Sequence, residues 1–158
     1  MPPLNARVYP LYLQAMEKQY QYHVDISWKA EKKGTASSPG LPELEVATPA
    51  DFNGHEGIWA PEHLFVASVA SCIMTTFLAV AEASRFSFKS YSSSAAGTLE
   101  QVGKGYKFTK VEVTVNLVVE DESTVSRAEK LLEKAEQNCF ISASVEAEVE
   151  LKPNVTVG

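Results

Sequence analysis

The chain has 158 residues, with 14 Lys and Arg against 20 Asp and Glu and a formal net charge of −6. That length fits about one domain with a real core, and the acidic balance, with no run of Lys or Arg to offset it, argues against a nucleic-acid partner. The N-terminus lacks a charged start followed by an apolar stretch and a small-residue cleavage site, so the expected setting is cytoplasmic, where two cysteines are more often reduced, catalytic or merely buried than permanently bridged.

In chain order, residues 1–19 form an N-terminal arm. Leu11, Leu13 and Met16 are apolar, but Pro2, Pro3 and Pro10 interrupt any long element. A single domain is expected over 20–158. Tyr20, Tyr22, Val24, Ile26 and Trp28 alternate with Gln21, His23, Asp25 and Ser27, the period-two pattern of a half-buried strand. Gly34 predicts a turn after Glu31-Lys32-Lys33, and Thr35 to Val46 supplies one or two short strands broken by Pro39-Gly40 and Pro42. Thr48 to Trp59 reads as a loop at a substrate entrance, with Phe52 and Trp59 as pocket residues. His55 and Glu56 in that loop lack a second histidine at ligand spacing, so no metal site is expected.

Ala60 to Arg85 is the stretch around which the rest is organised. Pro61 suits a first helical position, and Glu62 sits favourably at the positive end of the helix dipole. No charged side chain occurs from Leu64 to Ala81, and apolar residues fall on every side, which predicts a helix buried all round. One face is bulky (Phe65, Val69, Ile73, Phe77, Val80) and suits packing on a sheet. The other is small or hydroxylated (Ser68, Ser71, Cys72, Thr75, Ala79), fit to admit another helix or to hold a polar pocket around Cys72. A membrane span competes, since about twenty apolar residues cross a bilayer; the interrupting Ser and Thr residues and the amphipathic flanks argue against it, and no membrane partner is expected.

Beyond the helix, Phe86 to Gln101 carries aromatic and small residues and Gly103-Lys104-Gly105 reads as a hairpin turn. Val111, Val113, Val115, Leu117 and Val119 then alternate with polar residues in a second clear strand. Asp121-Glu122-Ser123-Thr124 offers caps to an amphipathic helix carrying Val125, Ala128, Leu131, Leu132 and Ala135 and ending near Gln137 or Asn138. Val145, Ala147, Val149 and Leu151 alternate in a final strand. The order gives an α+β domain, a mostly antiparallel sheet packed on a long buried central helix. The chemical candidates are Cys72 and Cys139, which from composition alone read equally as two small buried hydrophobes.

Pro61-Glu62-His63-Leu64-Phe65 followed by Ala70-Ser71-Cys72 resembles the PE-x-L-F…A-x-C signature of the OsmC/Ohr family, the osmotically inducible protein C and organic hydroperoxide resistance proteins. Cys139-Phe140-Ile141-Ser142 resembles that family's C-P-x-S motif. The likeness runs from about Tyr22 to Leu151. It implies an OsmC-like intertwined homodimer with the two long helices at its centre and active sites at the subunit interface. It also implies a thiol-dependent peroxidase that needs no cofactor. Cys72 would attack the O–O bond of an organic hydroperoxide, become a sulfenic acid and condense with Cys139, and a dithiol reductant of lipoyl type would reopen the disulfide.

Glu62 matches the family's active-site glutamate. It lies ten residues before Cys72 on one helix, about 15 Å at 1.5 Å per residue, so only a second subunit would bring the two together. Two positions depart from the pattern. The family's thiolate-stabilising hairpin arginine is missing from Lys29 to Gly34, leaving Lys32, Lys33 or Arg7 of the arm as sources of charge, and a lysine lacks the two-pronged guanidinium contact. Phe140 stands where the motif has proline. The alternative reading is a non-catalytic member that binds a small apolar ligand in a cleft near Phe52, Trp59 and Cys72.

Overall fold

A computed structural model describes residues 18–158. Arg7 and nearly all of the arm lie outside the described residues. The elements follow in the order β1 (Asp25–Ala30), β2 (Lys33–Ser37), β3 (Leu44–Ala47), α1 (Pro61–Ala83), β4 (Ser90–Val102), β5 (Gly105–Val119), α2 (Val125–Gln137) and β6 (Glu148–Val157). The fold is α+β with mostly antiparallel pairing. Strands β1, β2 and β3 form one antiparallel sheet, and β4, β5 and β6 form a second with β5 in the middle. A tight turn joins β4 to β5, with Gly103 at φ 64°, a left-handed conformation that glycine reaches without strain. The β5 to β6 connection carries α2, and the two strands are therefore free to run parallel.

The core lies between the second sheet and the two helices. Val111, Val113, Val115, Leu117 and Val119 present one buried face of β5, and Ala128, Leu131, Leu132 and Ala135 form the buried stripe of α2. Val69, Ile73, Phe77 and Ala81 of α1 complete it. Phe77 stacks on Tyr91 at 5.5 Å between ring centroids, and Arg127 ties α2 to the end of α1 by donating to the Ser84 carbonyl at 2.6 Å. Between α1 and β4 the approach is close: a Cβ on Gly97 would stand 2.5 Å from Val66 Cγ2.

Three expectations need correction. First, α1 is buried on one face only; Ser71, Thr75, Leu78, Ala79 and Glu82 are exposed. One sheet and one short helix cannot wrap a 23-residue helix, and among the described residues nothing covers its other side. The helix is long and apolar enough to cross a bilayer, yet its Val69–Ile73–Phe77–Ala81 face packs into the protein's own core. Second, the alternating stretch from Tyr20 forms a strand only from Asp25 and is exposed throughout, with Ile26 67% and Trp28 75% accessible, because the described residues offer it nothing to pack against. Its turn falls at Glu31-Lys32, with Glu31 at φ 50°, while Gly34 lies inside β2, where a Cβ would stand 2.6 Å from the Ser27 carbonyl oxygen. Third, the last strand starts at Glu148, since Ser142–Ser144 makes a 3-10 turn, and continues to Val157 through Pro153, which an edge strand tolerates.

Candidate active site

The end of α2 packs against the middle of α1, and this crossing brings the two cysteines together. Asn138 ends α2 by donating both its N–H and its side-chain amide to the Lys134 carbonyl, at 3.2 and 2.7 Å. The chain then turns sharply. Cys139 N–H donates to the Glu136 carbonyl at 3.1 Å, Ala143 N–H to the Cys139 carbonyl at 3.0 Å, and Ser144 N–H to the Ile141 carbonyl at 2.9 Å. Inside that turn Ser142 N–H donates to Cys139 Sγ at 3.3 Å. On the other side of the pair, Thr76 Oγ1 lies 4.0 Å from Cys72 Sγ, one helical turn along α1.

The two thiols are held unequally. Cys139 is buried, 1% accessible, whereas Cys72 is half-buried. Desolvation pushes the Cys72 thiol up, but hydrogen bonds from the Cys139 side chain, the Ile141 N–H, the Thr76 hydroxyl and the Phe140 N–H outweigh it, and its pKa falls below that of an ordinary thiol. Burial raises Cys139, and the neighbouring Cys72 sulfur raises it further, only partly offset by Ser142. One sulfur is therefore inclined to be a reachable thiolate and the other a protonated donor beside it. Such a pair can perform nucleophilic attack at one sulfur and trap the product with the other.

The expected pocket residues meet elsewhere. Phe52 and Trp59 line a cleft of about 490 Å³ with Glu62, His63, Val66 and Phe108. Within this chain Cys72 does not line it, although Ala70, two residues earlier on α1, does. Glu62 and Cys72 are kept apart by the rise of the helix they share. Glu62 Oε2 is buried and has no hydrogen-bond partner among the described residues. His63 Nδ1 accepts the Ala60 N–H at 3.1 Å, capping α1, and its ring meets Trp59 edge-on at 6.2 Å. Lys32 secures the loop by donating to the Phe52 and Asn53 carbonyls at 3.3 and 2.8 Å, and Lys33 lies 3.8 Å from Glu31. His55 Nε2 also faces Glu31, at 3.5 Å, while Glu56 is exposed.

Several contributors have little or no mark in the sequence. Thr76 was findable, four residues after Cys72 on the same helix face. The amides of Phe140, Ile141 and Ser142 were not, because a backbone donor leaves no residue-type signature.

Residues 54–154 match the family described as OsmC-like protein. Among solved structures, the chain is similar to an OsmC-like protein of unknown function from Vibrio cholerae, with 27% identity and a TM-score of 0.78, covering 86% of this chain and 100% of that one. It is also similar to an organic hydroperoxide resistance protein, OsmC, from Legionella pneumophila, with 25% identity and a TM-score of 0.67 over 89% of this chain and 99% of that one. A sequence relative, the uncharacterized protein YmaD of Bacillus subtilis, is 22% identical over 143 residues, 87% of this chain and 95% of YmaD.

Proposed function

The chain belongs to the OsmC-like protein family, and on that premise we propose that it is a thiol-dependent peroxidase that reduces organic hydroperoxides to alcohols. The observation that carries this reading is the unequal thiol pair: a half-buried Cys72 with lowered pKa beside a buried Cys139 with raised pKa. In the proposed cycle the Cys72 thiolate attacks the distal oxygen of the hydroperoxide. The O–O bond breaks, the alkoxide takes a proton and leaves as the alcohol, and the sulfur, oxidised by two electrons, carries the hydroxyl as sulfenic acid. Cys139 then attacks the Cys72 sulfur, the S–O bond breaks, water leaves, and a Cys72–Cys139 disulfide remains. A dithiol, of lipoyl type by family resemblance, reopens it by exchange and is itself oxidised to a disulfide.

The same reading makes the protein a cytoplasmic homodimer. Support comes from the exposed apolar side chains of Tyr20, Tyr22, Val24, Ile26 and Trp28 and from the uncovered face of α1. The cleft favours a second reading, a binding protein for a small apolar ligand, because its aromatic lining stands clear of the thiol of its own chain. One experiment separates the two. One equivalent of an organic hydroperoxide, such as cumene hydroperoxide, should convert both free thiols into an intrachain disulfide that a dithiol reverses. Cys139→Ser should still be attacked once but drift to sulfinic acid in excess peroxide, and Cys72→Ser should not turn over. If Cys72→Ser consumes peroxide at the parent rate, or the parent forms no disulfide, the peroxidase reading fails and the binding reading takes its place.

A further inference from the structure

The cleft beside Trp59 carries charge of one sign. Its ionisable lining is Asp51, Glu62 and His63, and among the described residues no Lys or Arg lines it. An adjoining cleft of about 420 Å³ shares Phe52, Glu62 and Leu99 with it and adds Tyr106, again without a cation. Lys32, close in the fold, instead donates to the Phe52 and Asn53 carbonyls, and Lys33 lies 3.8 Å from Glu31. His63 brings no proton through Nδ1, which accepts the Ala60 N–H at 3.1 Å. Glu62 Oε2 is buried without a hydrogen-bond partner among the described residues, and a buried carboxylate oxygen left without a donor is costly. The rings of Phe52, Trp59 and Phe108 stand in the same lining, and aromatic faces are themselves electron-rich.

We propose that this cleft takes an organic ammonium compound, with its apolar body among the aromatic side chains and its cationic head on Glu62. The inference deepens the ligand-binding reading of the cleft, rests on it, and takes nothing from the thiols. Charge complementarity selects the class. An ammonium head gives the orphaned carboxylate oxygen a charge-assisted hydrogen bond and is attracted to ring faces within about 6 Å. A neutral alcohol supplies a donor without the charge. A carboxylate of the same size meets Asp51 and Glu62 with like charge and no compensating cation, so the cleft rejects it. Head-group charge, more than the shape of the apolar body, is what this lining discriminates.

The test is calorimetric titration of the reduced full chain with three probes that share a phenethyl body and differ in the head: phenethylammonium, phenethyl alcohol and hydrocinnamate. The ammonium should bind about tenfold tighter than the alcohol, and the carboxylate should bind weakest. Added salt should weaken the ammonium and leave the alcohol unchanged. Glu62→Gln should bring the ammonium down to the affinity of the alcohol. Equal affinity for the three probes, or a preference for the carboxylate, overturns the charge assignment and leaves the ligand-binding reading standing. An ammonium preference that survives Glu62→Gln overturns the assignment to this carboxylate. If none of the probes binds the parent, the ligand-binding reading and the inference fall together. Should Glu62→Gln fail to fold, Trp28→Phe leaves Trp59 as the sole tryptophan. Its fluorescence should then respond to the ammonium, and emission that stays unchanged while the ammonium binds overturns the placement.

Discussion

Replacing Ser71 by Leu distinguishes a protomer that works alone from one that packs its α1 against a second copy. In the protomer Ser71 is exposed, and its hydroxyl is turned back to the Ser68 carbonyl at 3.3 Å, as Thr75 is to the Cys72 carbonyl at 3.1 Å and Ser68 to the Phe65 carbonyl at 2.7 Å. With the hydroxyls satisfied inside the helix, this face presents small, nearly apolar bumps that permit close approach of a second helix. If nothing covers the face, Ser71→Leu is close to neutral, since Leu is the better helix former by a few tenths of a kcal/mol. If α1 packs on its symmetry mate, each copy overpacks the interface by about 1–3 kcal/mol, and a two-fold dimer holds two copies, about 2–6 kcal/mol in total. At about 1.4 kcal/mol per decade the dimer dissociation constant should rise between roughly thirtyfold and more than ten-thousandfold, while Ser71→Ala leaves it nearly unchanged. Sedimentation equilibrium over a concentration series reads this directly. An unchanged dissociation constant for Ser71→Leu, or a parent that is monomeric at micromolar concentration, would refute the assignment of this face to dimer packing.

The remaining predictions concern the cleft floor and the sheet surface. Gly97→Ala drives a Cβ to 2.5 Å from Val66 Cγ2 and 2.8 Å from Phe108 Cε1 and should cost about 1–3 kcal/mol, whereas Gly105→Ala meets open space and should be neutral or better. Denaturant midpoints that fail to separate the two variants would contradict the close packing of α1 on β4. On the outer face, Glu112 accepts from Lys152 and lies 3.5 Å from Lys110, and these partners hold its carboxyl below the usual range. A depressed acid stabilises above its unfolded pKa and loses that contribution as pH falls through its folded value. The stability difference between parent and Glu112→Gln should therefore be constant at neutral pH and vanish on acidification; a difference that persists at low pH would assign it to packing instead of charge.

What the sequence disclosed and what it withheld follow from where each residue finds its partner. The β5 alternation and the α2 stripe were legible to the residue because both faces in question meet surfaces of the same chain, Val111 to Val119 against Ala128, Leu131, Leu132 and Ala135. The period of β1 was equally plain, but its burial was not, since Ile26 and Trp28 have no partner surface among the described residues. The same holds for α1, whose apolar residues on every side pointed to full burial although the described residues cover one face. At the site, the two cysteines and Glu62 stood out by type, and Phe52 and Trp59 by being aromatic in a glycine-containing loop. Val66 and Phe108 did not, because a helix face and a strand distant in sequence meet only after folding. Glu62 and Cys72 stand on one helix, and its rise keeps them about 15 Å apart, a separation the spacing alone discloses.

That separation leads to a last prediction about how the site is assembled. A single chain holds the thiols at one place and the Glu62 carboxylate, whose Oε2 is buried without a partner among the described residues, about 15 Å away along α1, so one small hydroperoxide cannot touch Cys72 and Glu62 of the same chain. If turnover needs both, the carboxylate must be lent by the partner subunit, and two defective protomers should then rescue each other. Cys72→Ser and Glu62→Gln homodimers should each be impaired. Unfolded together and refolded at equal amounts, they give about half heterodimers, and every heterodimer carries one site with both defects and one with neither. The mixture should recover about a quarter of the parent peroxide turnover. Were Cys72 and Glu62 to work within one chain, each site of the heterodimer would carry one defect and no activity would return. Full turnover by Glu62→Gln alone would remove the carboxylate from the chemistry and leave it as the first-turn charge that α1 favours at its N-terminus.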